Sequence, residues 1–244
     1  MASIARLPLE ILPSGASQWA AIVEIARRWA VAAGVNLQGA VLLVPFAQHL
    51  PLARRAWAQA GGWMPRIETT QTLAQTLGPR GPLAEGQISF DASLDRLTAA
   101  RMLRSQAWMA AWARRDGKAF DEAVAGLVST AHALARAASS LHPSQREAHW
   151  QQGRALLAVS GGPGASERLL ARVALEWAAL APEAATDRLF DHQPSAWIAV
   201  QAGGLDALTE QLLAMAPHGV SCAVIDGDPE PMQVPSGTQM SLAV

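Results

Sequence analysis

Four stretches of the chain are apolar on successive rather than alternate positions: LPLEIL (7–12), AVLLVPF (40–46), AWIAVQA (196–202) and VSCAVID (220–226). Each is short and bounded by turn formers, the pattern of strands buried on both faces. PRIETT (65–70) is a fifth and weaker candidate. Segments with a 3.6-residue apolar period follow them, at 17–33, about 48–60, 70–77 and 205–216. The alternation reads as βα units around a parallel sheet with helices on its faces. Ser17, after the turn Pro13-Ser14-Gly15, is placed to cap the first helix.

The pattern changes between residues 94 and 182. LDRLTAARMLRSQAWMAAWARR, FDEAVAGLVSTAHALARAASSL, SQREAHWQQGRALLAVS and ASERLLARVALEWAALA are helical in period, with no strand candidate among them. Trp108 and Trp112 fall four apart, as do Leu127 and Ala131, so each pair shares one helix face and is expected in the core. Segments 78–93 and 160–166 are loops by their Gly and Pro content. The predicted fold class is therefore α/β, a parallel-sheet domain of residues 1–93 and 186–244 with an all-helical subdomain, 94–185, inserted between its halves.

Half of the 244 residues are apolar, which excludes global disorder, and the net charge of −1 denies the chain the diffuse positive field of a dedicated nucleic-acid binder. Any nucleic-acid contact has to be local. The single cysteine, Cys222, excludes an internal disulfide and a cysteine-based metal cage, and its apolar surroundings point to an inert buried thiol. No run of about 18 apolar residues escapes polar interruption, and nothing before residue 15 resembles a signal core. A cytoplasmic protein with no membrane partner is expected.

The first strand–turn–helix has the layout of a phosphate loop, whose chemistry requires glycines, a lysine and a metal-holding hydroxyl. LPSGASQW supplies one glycine, Gly15, and the only lysine in the chain is Lys118, in RRDGKAFDE. No conventional P-loop can form, and the turn reads as a connection. SGGPGAS (160–166) follows a helix rather than a strand and reads as a helix–helix link. Asp226 and Asp228 end a strand, where carboxylates can hold metal, but without a partner Glu or Lys a polar strand exit is the favoured reading. His49 and His218 flank exit loops with no nucleophile and orienting acid visible beside them, and His132, His142 and His149 lack metal-ligand spacing. Arg54, Arg55, Arg66, Arg101, Arg104, Arg114 and Arg115 are the candidate phosphate contacts.

The order of these features resembles the first RecA-like domain of superfamily 1 helicases, and more closely its inactivated version in the N-terminal region of AddB-type subunits of double-strand-break repair helicase–nucleases. AVLLVPFAQHLPLARRAWAQAG is similar to the family's motif Ia, and IETTQTLAQTLG to motif Ib. AWIAVQAGGLDALTEQLLAMAPHGVSCAVIDGDPEP looks like motifs II and III in tandem. Gln201 and Ala202 stand where motif II carries its Asp-Glu pair, and Pro231 or its neighbours follow Asp228 where motif III needs Gln. The resemblance thus implies a RecA-like, P-loop NTPase-like fold without a functional P-loop: a non-catalytic, cofactor-free scaffold and part of a DNA path. It also implies that this chain is a fragment whose nuclease domain lies further on. On motif Ib, Thr69, Thr70 and Gln71 are expected to meet the backbone of single-stranded DNA. With Phe46, Gln48, Arg54, Arg55 and Arg66 they make up the candidate DNA-binding set. Two alternatives stand beside this: an interaction module docking on a RecA-fold helicase subunit without touching DNA, and a small-molecule hydrolase or transferase using the loops around Pro45, Gly203, Gly204 and Asp226.

Overall fold

The computed structural model describes residues 4–9, 18–78, 83–158, 164–180, 183–184 and 186–226. The expected turn at 13–15, the cap Ser17, Asp228 and Pro231 lie outside them, as does most of the glycine-rich link. Two compact units divide the chain, one of Met1–Thr70 with Gln193–Val244 and the other of Gln71–His192.

Among the described residues the first unit is built on five parallel strands, β1 (Ile4–Pro8), β2 (Ala40–Leu43), β3 (Arg66–Glu68), β4 (Ala196–Gln201) and β5 (Ser221–Asp226), in the order β1-β5-β4-β2-β3. The strands with unbroken apolar runs hold the centre. Every residue of β2 is buried, as is all of β4 except its last, because a central parallel strand is covered on both faces. β1 begins and ends earlier than the expected 7–12. Its burial alternates, as suits an edge strand with one neighbour. Helices α1 (Gln18–Ala32) and α2 (His49–Ala60) pack on one face, where Ile22, Val23, Ala26, Ala53 and Trp57 meet Leu42, Val44, Ile198, Val200 and Ile225. The opposite face carries Cys222, whose sulfur lies 4.0 Å from the Leu213 carbonyl of α10 (Ala207–Ala214). A single 3₁₀ turn, Leu37–Gly39, leads into β2.

The second unit contains α3, which starts at the boundary (Thr70–Leu77), then α4 (Ala92–Ser105), α5 (Ala107–Arg115), α6 (Gly117–Ser139), α7 (Pro143–Leu156), α8 (Ala165–Ala179) and α9 (Asp187–Asp191). Leu127 and Ala131 of α6 lie in its core with Leu103, Met109, Trp150 and Trp177. Asp91 and Asp116 cap α4 and α6 through their carboxylates. The boundaries fall at 70/71 and 192/193, where the sequence predicts 93/94 and 185/186. The loop before α4 goes with the helices for three reasons: Ile88 is in their core, Trp177 Nε1 donates to the Gly86 carbonyl (2.8 Å), and Gln87 Nε2 reaches the Leu180 carbonyl (3.4 Å).

The expectation that Trp108 and Trp112 are core residues is corrected. Both are 38% exposed. α5 turns a different line inward, with Met109 fully buried and Ala113 packed against the core. Each residue advances a helix by about 100°, so the i, i+4 pair one position earlier is carried round toward solvent.

Two buried polar clusters punctuate the second unit. The Asp95 carboxylate, 1% exposed, accepts from the Ser89 amide (3.0 Å) and hydroxyl (2.9 Å), and its other oxygen lies 2.6 Å from His132 Nε2. Arg146 forms a fork with Asp187 while its Nε donates to the Ala138 carbonyl (3.0 Å) and its Nη2 to the Leu141 carbonyl (3.2 Å). Among the described residues no helix is long and apolar enough to cross a membrane.

Candidate functional site

In an open parallel sheet, ligands gather beyond the carboxyl ends of the strands, at a point where neighbouring strands send their helices to opposite faces. β2 and β4 are such a pair. They are hydrogen-bonded neighbours, β2 feeding α2 on one face and β4 feeding α10 on the other. The crevice is therefore bounded by residues 44–49 and 201–206.

On the β2 side the chain turns tightly, with the His49 amide on the Phe46 carbonyl (2.9 Å) and the Leu50 amide on that of Ala47 (3.1 Å). The turn pushes Phe46 outward to 52% exposure. Gln48, exposed and at the N-cap of α2, makes no capping hydrogen bond with its side chain, so its amide faces water. His49 sits between Trp19 (ring centroids 5.4 Å apart) and Phe46 (5.5 Å, edge-on). Burial lowers its pKa below the ordinary value, favouring the neutral ring, and its Nδ1 has no partner among the described residues.

The arginines divide into two kinds. Arg54 Nη2 donates to the Ile67 carbonyl at 3.0 Å and lies 3.9 Å from Glu68; Arg66 Nε lies 3.7 Å from the same carboxylate oxygen. Glu68 at the end of β3 thus offsets two of the candidate phosphate contacts. Arg55, one position on, is exposed and makes no ion pair among the described residues. Thr69 and Thr70 are buried, which leaves Gln71, exposed and in the second unit, as the accessible one of these three candidate contacts.

On the β4 side, Gln201 is paired in register with Asp226, which is in turn paired with Pro8 of β1. One oxygen of Asp226 is buried without a hydrogen-bond partner among the described residues. Beyond Gln201 the chain passes through Ala202, Gly203 (φ 72°) and Gly204 (φ 121°), the latter two in a left-handed region that strains any side chain. Asp206 is committed to capping α10: it accepts from the Leu208 amide (3.1 Å), the Thr209 amide (3.0 Å) and the Thr209 hydroxyl (2.5 Å). Asp-x-x-Thr before an apolar run signals this in the sequence.

Other residues singled out from the sequence have structural partners or are dispersed. His132 is bound to Asp95, His142 caps α7, His149 lies against Trp150, and His218 is exposed in a turn. Cys222 is buried, and desolvation pushes its thiol pKa up to about 11. Lys118 is in α6 of the second unit. Among the described residues no three His, Cys, Asp or Glu side chains converge as a metal site would require. No family model, curated protein or solved structure matches this chain.

Proposed function

We propose that this chain is an inactivated helicase-like scaffold of a double-strand-break repair assembly, in which the RecA-like sheet unit guides single-stranded DNA over the β2 exit without binding nucleotide. The helical unit, inserted between the halves of the sheet, fits the same plan. One observation carries the reading: the β2 exit turns an aromatic ring and an amide to solvent (Phe46 and Gln48), and α2, the helix it feeds, carries the exposed guanidinium of Arg55 two turns further on. Those groups suit a nucleic-acid single strand, with a base stacking on the ring and a phosphate meeting the cation. Hydrolysis of a nucleoside triphosphate calls for a lysine and a metal-holding acid pair. Gln201 ends β4 and Asp206 is spent on its cap.

The test is fluorescence anisotropy of a labelled oligonucleotide at low salt, alongside calorimetry with ATP and Mg²⁺. Affinity should fall with log salt at a slope near −0.7 per phosphate. Phe46→Ala should weaken binding by about five- to a hundredfold, the range of one stacked base, and Arg55→Ala should flatten the salt slope. Saturable ATP binding tighter than about 0.1 mM, near 5.5 kcal/mol, would sink the scaffold reading. The capture of Arg54 and Arg66 by Glu68 favours a second reading, a docking module for a RecA-fold helicase subunit. Absence of DNA binding at low salt decides for it.

A further inference from the structure

From Arg96 to Arg115 the chain carries five arginines and no carboxylate, in a protein whose net charge is −1. The same stretch holds Trp108 and Trp112, which the core of the second unit does not take. α5 is amphipathic in an unusual sense. Its inner line is Met109 and Ala113, and its outer line is Trp108, Trp112 and Arg115, at i, i+4 and i+7, so the three stand in one row on one face. Both indoles are 38% exposed, and Arg115 is exposed at the end of the row. Arg114 is exposed beside it. Arg101 is held by Glu85 at 3.1 Å, and Arg104 lies over the Phe120 ring, 5.1 Å from its centroid. Neither Arg114 nor Arg115 has an ion-pair partner among the described residues. The carboxylate that follows, Asp116, is bound by the Ala119 amide as the cap of α6; Asp121 and Glu122 come only after the first turn of α6.

We propose that the Trp108–Trp112–Arg115 row is a second contact for single-stranded nucleic acid, on the helical unit and separate from the β2 exit. The two indole positions are about 6 Å apart along the helix axis. A strand laid along the row can set bases against the rings while the guanidiniums at its end take phosphate, which is how sequence-tolerant single-strand sites are built. The arginine-only charge selects an anionic occupant. The mixing of the two chemistries on one face argues against a membrane: a helix lying in a bilayer interface keeps its basic residues on the face opposite its aromatic ones, whereas Arg115 stands in the same row as Trp108 and Trp112. A duplex keeps its bases stacked on one another and cannot offer them to the rings.

The experiment is anisotropy with a fluorescein-labelled oligothymidylate on the full chain, comparing wild type, Trp108→Ala/Trp112→Ala, Trp108→Phe/Trp112→Phe and Arg115→Ala. The alanine pair should weaken binding about tenfold or more, the phenylalanine pair should restore most of it, and Arg115→Ala should lower the salt slope. Far-UV circular dichroism checks that each variant is folded, as expected for exposed positions. The same series in a Phe46→Ala/Arg55→Ala background separates the two sites. Loss of residual binding on removing the tryptophans supports the α5 row even if the exit loops fail. Unchanged binding on removing them overturns it while leaving the exit-loop reading intact. Equal affinity for a duplex of the same length, or tighter binding of an acidic peptide or an anionic vesicle than of the oligonucleotide, also overturns it.

Discussion

Removing the carboxylate of Asp187 should be among the most damaging single changes to this protein. Asp187 is 1% exposed and accepts from Nη1 (2.9 Å) and Nη2 of Arg146 and from the Ala184 amide (3.0 Å). It also stands in the first turn of α9, where a negative charge meets the positive end of the helix. Asp187→Ala leaves a 7%-exposed guanidinium with only two carbonyl acceptors, those of Ala138 and Leu141. Hydrogen bonds to charged groups contribute about 1.5–3 kcal/mol each, and breaking a buried pair costs about 3–5 kcal/mol because one charge stays behind. At about 2–4 °C per kcal/mol for a chain of this size, the midpoint of thermal unfolding should drop by about 6–20 °C. The compensating pair Arg146→Met/Asp187→Leu removes both charges together and should recover more than half of that loss. Thermal and urea unfolding followed by circular dichroism measure both quantities. A loss below about 1 kcal/mol for Asp187→Ala, or a double variant whose loss equals the sum of the singles, would refute the reasoning. The fork would then be an ornament of the fold rather than a clamp between the start of α7 and α9.

Cys222 should resist alkylation by iodoacetamide near neutral pH and react at the rate of a free thiol once urea unfolds the sheet, because burial holds it as the neutral thiol; mass spectrometry across the unfolding transition reads this out, and fast labelling of the folded chain would contradict it. Burial disfavours the charge on Asp95, but hydrogen bonds from Ser89 and the His132 interaction outweigh it and lower its pKa below the ordinary 3.8. A carboxylate depressed in the folded state adds stability above its unfolded pKa and loses it as pH falls through the folded one. Urea midpoints should therefore decline between about pH 5 and pH 2, and Asp95→Asn should flatten that limb while lowering stability at neutral pH; an unchanged acid limb in the variant would count against it.

The parts of the fold that could be read from the sequence are those fixed by local pattern. β2 and the interiors of β4 and β5 are apolar on successive positions because the sheet is covered on both sides there, so their position survives any tertiary detail. β1 was harder to place: IARLPLEIL offers apolar residues in two registers, and only the pairing of Ile4 with Cys222 selects the earlier one. Periodicity finds a stripe on α5 but cannot tell which of two adjacent stripes faces inward, since Trp108/Trp112 and Met109/Ala113 have the same spacing. The polar clusters were illegible for another reason. Asp95 meets His132 and Arg146 meets Asp187 across sequence separations of 37 and 41, which the helix packing sets. The candidate site was readable as a location, the exit of β2, but not as an electrostatic environment. Arg66 and Glu68 share a face of β3, two residues apart, but nothing local announces that Glu68 would also draw Arg54 from α2.

The strand order bears on how the chain comes into being. Among the described residues β1 has one neighbour, and it is the last of the described strands to be made: Ile4 pairs with Cys222, 218 residues further along. At roughly 5–20 residues per second a ribosome takes about 10–45 s to bring the two together. Meanwhile β2 and β3 can pair under α2, and the helices of the second unit can close on local contacts. The inner edge of β2 stays bare until β4 slots in beside it, an apolar template open to strangers. A nascent chain halted before residue 221 would hold a solitary β1 and a sheet missing β5, the strand that joins it to β4, so the sheet unit should lean on holding chaperones during synthesis while the helical unit does not.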